Sequence, residues 1–333
     1  MKISIESPLD MHLHLRQGDM LKQVLPFSAA HFAGAVIMPN LVSPVDDGNK
    51  LLRYRDEIVS CCPDEIFKPY MTLFFRTYSR QELEDLGNHI IGIKLYPAGI
   101  TTGSESGVAD FSAIEETLSH MQDAGIPLLV HGESNGFVMD REKEFLATYE
   151  HIARTFPGLH IIMEHITSAD SVEFLDKFEN VSATVTVHHL MITLDDVMGD
   201  LLEPDLFCKP VAKTPRDRQA LQSAVFSGHP KLMFGSDSAP HPRHHKECCG
   251  CAAGIFSAPV ALPLLADLFD KEDRLDLLQE FVSGIARKRY NIKPPEKTIT
   301  LENKEYKVPD NHGTVRSFLA GRTLSWRVVN SDD

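Results

Sequence analysis

Apolar segments of strand length alternate with longer amphipathic stretches along most of the chain. The strand-length segments fall at residues 9–15, 34–39, 69–75, 90–96, 127–131, 160–165, 181–187 and 231–236. Several are almost continuously apolar, as parallel strands are when both faces of the sheet are covered. Helical periodicity occupies residues 111–124, 142–156, 171–178 and 216–226, among others. Eight β-then-α units predict an α/β fold of the (β/α)8 TIM-barrel type over about residues 8–290. From about Lys297 the pattern changes to short alternating segments at 298–301, 306–308 and 323–329. These predict a small β-rich C-terminal extension (297–333) packed on the barrel, so that residues 1–333 form a single domain.

Composition narrows the function classes. Hydrophobic residues make up 43 % and charged residues 24 % of 333, which is ordinary for a globular chain. No apolar run approaches the ~18 residues that spanning a membrane needs. The first ten residues contain Glu6 and Pro8 and no apolar core of a secretory signal, so a cytoplasmic location is expected. The net charge of −14 argues against nucleic acid as a partner, although local Arg and Lys can still line a cleft for a small anion. Six cysteines occur as Cys61-Cys62, Cys208 and Cys248-Cys249-x-Cys251. The last cluster lacks the spacing of a structural zinc motif, and the set reads as reduced, inert thiols.

The chemistry gathers at the C-terminal ends of the predicted strands, the face on which barrel enzymes build their sites. The first strand ends Asp10-Met11-His12-Leu13-His14, the fourth at Lys94, the fifth at His131, the sixth at Glu164-His165 and the eighth at Ser236-Asp237. Strand alternation puts His12 and His14 on one face, ~7 Å apart, with Met11 and Leu13 on the other. Any one of these residues alone reads as ordinary packing or capping. All of them at one end of one barrel read as a site. Four imidazoles and a carboxylate suit Zn²⁺ or a similar ion, yet five ligands are too many for one tetrahedral metal and too few for two. A desolvated Lys94 loses its proton readily and can add CO₂; the resulting carbamate would supply a bridge with two oxygens.

These residues resemble the ligand set of the amidohydrolase superfamily. The segments 10–16 (DMHLHLR), 38–40 (MPN), 93–98 (IKLYPA), 131–133 (HGE), 164–167 (EHIT) and 235–241 (GSDSAPH) are similar to those of dihydroorotases of the shorter, class II bacterial type. The resemblance runs from about residue 8 to about 290. It implies reversible, zinc-dependent cyclisation of N-carbamoyl-L-aspartate to L-dihydroorotate, the third step of pyrimidine (UMP) biosynthesis. It implies two Zn²⁺ per subunit. His12, His14 and Asp237 would hold one, His131 and His165 the other, with carboxylated Lys94 and a hydroxide as bridges. Asp237 would also carry the catalytic proton. It implies a homodimer acting on a small-molecule substrate.

The substrate carboxylate needs its own clamp. Arg16 follows the HxH pair and can bind a carboxylate bidentately. Asn40 and His241 match the family's remaining carboxylate contacts, and the backbone at Lys209 and Ala253 matches segments that touch the ring; His14 and His131 also face substrate. Thr101 and Thr102 match a threonine pair on the loop 97–107, which is rich in glycine and small polar residues and is expected to be a mobile lid. Asp10 is a candidate partner for a ligand imidazole, while His188 and His189 read as packing residues. A hydantoinase-like enzyme would share the metals without the clamp. A Schiff-base lyase would leave the HxH pair without a purpose. A non-catalytic scaffold on this fold would be expected to lose ligands.

Overall fold

The computed structural model describes residues 1–329 apart from Asp64, Thr102 and Asp110. In chain order the strands are β1 (Lys2–Glu6), β2 (Leu9–Leu13), β3 (Gly34–Ile37), β4 (Lys68–Phe74), β5 (Gly92–Leu95), β6 (Leu128–Val130), β7 (Ile161–Met163), β8 (Val181–Val185), β9 (Leu232–Phe234), β10 (Thr298–Lys307) and β11 (Thr323–Val328). Strands β2 to β9 pair in sequence order, all parallel, with helices between them. The ring closes from β9 back to β2 through a parallel bridge, Leu13 with Ser238, and through Asp237 N–H donating to the His12 carbonyl at 2.9 Å. This is the (β/α)8 barrel expected from the sequence.

Two buried shells follow from the strand period. Leu128, Val130, Ile161, Met163, Leu232 and Phe234 join the core under the helices. Leu129, Ile162 and Met233, one residue out of phase, fill the lumen together with Leu9, Met11, Val36 and Met38. Lys94 lies between Ile93 and Leu95, both in the outer shell, so it points inward. One expectation fails here. Met11 packs in the lumen and Leu13 in the outer shell, not on one common face. The β2–β3 register shifts between Asp10 and Leu13, and such an irregularity breaks strict alternation.

The extension is a three-stranded antiparallel sheet in the order β1-β10-β11. Residues 298–301 and 306–307, expected within two separate short segments, belong to one strand, β10, which ends one residue before Val308 and has a register shift between Asn303 and Tyr306. The sheet is not purely C-terminal. Its edge is β1, paired from Lys2 opposite Glu302 to Glu6 opposite Thr298. Trp326 is fully buried, and its indole N–H reaches Asp270 at 3.1 Å on the helix Ala261–Lys271, which ties the sheet to the barrel's outer layer. No helix among the described residues is long and apolar enough to cross a membrane.

Candidate metal centre and substrate pocket

Each strand is shorter at its C-terminal end than the apolar runs suggest. His12 and Lys94 lie within strands, whereas His14, His131, His165 and Asp237 sit in the first residues beyond β2, β6, β7 and β9. Leaving the strand frees the backbone to re-aim side chains. His165 and Asp237 both adopt φ of 41° and Arg16 one of 60°, a left-handed conformation uncommon outside glycine. The hydroxyl of Thr184 holds the His165 turn, accepting from His165 N–H at 2.7 Å and donating to Glu164 at 2.6 Å. Gly235 leaves room for this meeting of strands, since a Cβ there would lie 2.9 Å from Thr184 Cβ and 3.0 Å from His12 Cβ.

The result is a cluster of buried donors at the mouth of the lumen. His12, His14 and Asp237 present ligand atoms within 4.8 Å of one another. Asp237 Oδ1 lies 3.1 Å from His14 Nε2 and 3.5 Å from His12 Nε2. The His165 ring stacks edge-on between those of His12 and His131, at centroid distances of 4.9 and 4.7 Å. Lys94 is fully buried. Its Nζ has no hydrogen-bond partner, nor have His165 Nδ1 and Glu164 Oε1. Orphaned polar atoms are costly in a low-dielectric interior, and three in one cluster mark a place that fits bound cations.

The electrostatics agree with that fit. Burial lowers Lys94 to about 8 against an ordinary 10.5, although Glu164 and Asp237 pull the other way. About a tenth of the amine is therefore free near neutrality, far more than at an ordinary lysine, as carbamate formation requires. Burial also lowers His12, and lowers His14 and His165 well below the ordinary imidazole value, so their rings are neutral with lone pairs to offer. Burial holds the Asp237 carboxyl above its usual range, against the pull of His12.

Two carboxylates orient this cluster, and the sequence reading gave neither a role. Glu164 Oε2 accepts from His12 Nδ1 at 2.7 Å, and Glu133 Oε2 pairs with His131 Nε2 at 2.7 Å. Each pairing fixes the ring and leaves its other nitrogen free. For Glu133 the signal was adjacency, since it follows His131 by two residues; Glu164 directly precedes His165 but holds His12, 152 residues away, and carries no local signal of that role. Asp10 does not hold an imidazole. It accepts from the backbone N–H of His12 and Ser236 and from the Ser236 hydroxyl, and so braces the β2–β9 seam.

The clamp residues meet above this cluster. Arg16 donates to the Pro240 carbonyl at 3.1 Å, and its Nη2 lies 3.1 Å from His241 Nε2, which is also 3.0 Å from the Ala253 carbonyl. Burial and the guanidinium lower His241 to about 3, so its ring is neutral. Asn40 hydrogen-bonds His14. An inner cavity of about 20 Å³ is lined by His12, His14, Arg16, Asn40, Thr101, His131, His165, Lys209 and Asp237; an outer one of about 560 Å³ continues from Arg16 and Asn40 towards the surface. Lys209 contributes its side chain as well as its backbone: Nζ donates to the Ile100 carbonyl at 2.6 Å. The loop 97–107 thus roofs the cavity, with Thr101 facing in. It is also less bare than its composition suggests. Ile100 and Ser104 are buried, and Ser104 caps a turn by accepting from Thr101 N–H and donating to Thr101 O. Thr102 lies outside the described residues.

No family model matches the chain. Individual relatives do. It is 46 % identical to the dihydroorotase of Helicobacter hepaticus over 98 % of this chain and 97 % of that one. It is 41 % identical to that of Sphingopyxis alaskensis over 98 % and 99 %. The crystal structure of the Campylobacter jejuni dihydroorotase superposes with a TM-score of 0.94 at 48 % identity, covering 99 % of this chain and 98 % of that one. An L-hydantoinase from Arthrobacter aurescens shares the fold at 17 % identity and a TM-score of 0.82. Sequence identity of this extent over the whole chain, on the same barrel, places the protein in the dihydroorotase family.

Proposed function

We propose that the chain is a dihydroorotase that interconverts N-carbamoyl-L-aspartate and L-dihydroorotate, through a pair of zinc ions held by His12, His14, His131, His165, Asp237 and carboxylated Lys94. The observation that carries the metal assignment is Lys94, fully buried among neutral imidazoles and without a hydrogen-bond partner. As a carbamate it becomes an anion with two oxygens, which gives the lumen the charge that two cations need. When bound, such a pair polarises the scissile carbonyl and makes hydroxide available near neutral pH.

The chain's own residues supply the rest. Arg16, with Asn40 and His241, holds the substrate carboxylate and fixes the ring against the His14–Asp237 side of the cavity. Asp237 accepts a proton in ring opening and returns it to the departing ring nitrogen; in ring closure the transfers run backwards. Its raised proton affinity suits that exchange. Thr101 donates its hydroxyl from the roof and excludes water, Thr102 shares that role by family resemblance alone, and the backbone at Lys209 and Ala253 borders the ring. The arginine clamp favours this reading over a hydantoinase-like one, because a neutral cyclic amide has no carboxylate to engage it. By family resemblance, the enzyme works as a cytoplasmic homodimer in pyrimidine biosynthesis.

The test is cyclisation and hydrolysis assayed alongside metal content, for the intact chain and for Lys94→Ala. We expect two catalytic zinc ions per chain and turnover in both directions. Lys94→Ala should lose activity and metal, with partial rescue by small carboxylic acids. A metal-loaded chain with no cyclisation overturns the activity, and a Lys94→Ala variant with full metal and near-normal rate overturns the bridge.

A further inference from the structure

Beyond β8 the chain turns through Thr186, His188 and His189 and meets the segment 207–211 of a later loop. His188 is fully buried, and His189 and Cys208 are nearly so. The reaction proposed above uses none of the three. One ligand atom from each lies within 4.8 Å of the others.

The contacts between them define a tighter figure. His189 Nε2 is 3.1 Å from the Pro210 carbonyl oxygen and 3.5 Å from Cys208 Sγ, and Sγ is 3.3 Å from the same oxygen. Ligands at zinc-type bond lengths of ~2.0–2.3 Å around a tetrahedral ion stand ~3.3–3.7 Å apart. The triangle of nitrogen, sulfur and oxygen therefore has close to the edges of one tetrahedral face. His188 presents a ring nitrogen within 4.8 Å of the ligand atoms of His189 and Cys208, and neither of its ring nitrogens has a hydrogen-bond partner, so it is the candidate for the fourth ligand. His189 is already aimed: its Nδ1 pairs with the Thr186 hydroxyl at 3.0 Å, as the second nitrogen of a metal-bound imidazole commonly does.

Hydrogen bonding alone accounts poorly for this arrangement. The Cys208 thiol and His189 Nε2–H both turn to a single carbonyl oxygen, while two imidazole nitrogens beside them have nothing. Buried polar atoms of that kind call for an explanation.

We propose that His188, His189, Cys208 and the Pro210 carbonyl form a closed structural site for one divalent cation of the zinc class, additional to the catalytic pair. Thiolate and imidazole donors select such borderline-soft ions over magnesium or calcium. Four protein ligands leave no open position, so the ion does no chemistry on substrate. Binding replaces the proton on Cys208 Sγ and releases one proton per cation. Burial otherwise keeps that thiol protonated, pushing it up to about 12, and keeps both imidazoles neutral. The role follows from position: the ion fastens the turn after β8 to the segment bearing Lys209, whose ammonium holds the roof loop at Ile100. Lys209 is then a positioning residue whose own location is set by the metal.

Cobalt gives a test that the catalytic centre cannot mimic, because that centre offers no sulfur. The full-length chain is stripped with a chelator and reloaded with Co²⁺, and the thiolate-to-cobalt charge-transfer band in the near ultraviolet is read together with metal content. We expect the band, and a third equivalent, in the intact chain and in Cys248→Ser/Cys249→Ser/Cys251→Ser. Cys208→Ser should lose both and keep two equivalents. His188→Gln keeps the sulfur and should weaken cobalt binding at this site by tenfold or more, which keeps the test decisive if Cys208→Ser fails to fold. A loaded chain without the band, a band that vanishes only in the triple variant, or unchanged cobalt affinity in His188→Gln overturns the proposal.

Discussion

Replacing Glu164 by Gln tests whether the carboxylate behind His12 contributes to metal affinity. Glu164 is buried, and its Oε2 accepts from His12 Nδ1 at 2.7 Å and from Thr184 Oγ1 at 2.6 Å. Burial alone would raise its proton affinity, but His12 and Lys94 outweigh burial and keep it ionised. Gln preserves the shape and one acceptor oxygen while removing the charge. A hydrogen bond to a charged group is worth roughly 1.5–3 kcal/mol against about 0.5–1.5 for a neutral one, so the change costs about 1–1.5 kcal/mol at the His12 ring. That is about tenfold in zinc affinity, the lower end of the ~10–100-fold typical for partners of ligand histidines. The effect should fall on the ion held by His12 and leave the other nearly untouched. The assay is competition of the stripped and reloaded protein against a chromophoric chelator, fitted for the two catalytic ions with the Cys208 site as a separate class, with circular dichroism to confirm the fold. Equal affinities in wild type and Glu164→Gln would refute the reasoning, as would equal weakening of both ions.

Four further outcomes follow from the same geometry. Asp237→Asn should cut kcat by ~10²–10⁴ in both directions while substrate still binds; a loss below tenfold, by steady-state kinetics, would remove Asp237 from proton transfer. Arg16→Met should raise KM for both charged substrates by roughly 10–150-fold, corresponding to about 1.5–3 kcal/mol, and leave zinc content intact. An equal loss on a neutral cyclic amide would point to a disturbed metal centre. Lys209→Met removes the 2.6 Å contact to the Ile100 carbonyl and should expose the roof loop to proteolysis while lowering kcat several-fold, whereas an unchanged cleavage pattern would dissociate Lys209 from the roof. Acid should destabilise the fold from pH 6.5 downwards. Burial lowers His31 to about 4, and burial with nearby Arg289 lowers His160 to about 3, so the unfolded chain takes up these protons first. Stability is then full above about 6.5 and falls towards pH 4, with His160 contributing on the order of 3 kcal/mol. Urea midpoints at pH 7 and 5 check this, and His160→Gln should flatten the slope.

The barrel and its ligands were legible for one physical reason. Parallel strands buried on both faces produce long apolar runs, and a His, Lys or Asp closing such a run stands out against them. What stayed hidden depends on partners distant in sequence. Nothing local to Lys2–Glu6 says that it pairs with residues 298–302, nor does Glu164 announce that it will hold His12. The register shift at Asp10–Leu13 cannot be read from alternation, because alternation is what it breaks. The left-handed turns at Arg16, His165 and Asp237 escaped for a related reason: only glycine advertises such a conformation, and none of these is glycine. Composition also hides how the roof loop packs, since Ser104 is small and polar yet caps a buried turn.

The pairing of β1 with β10 also fixes the order of events in time. Lys2 stands opposite Glu302, 300 residues later, so β1 is made long before its partner. Closing so long a loop adds little entropy beyond a shorter one, about 0.6 kcal/mol per doubling, but the contact forms late because everything between must first be in place. A chain interrupted before β10 leaves unpaired the side of β1 that β10 takes up, and other chains can pair on it.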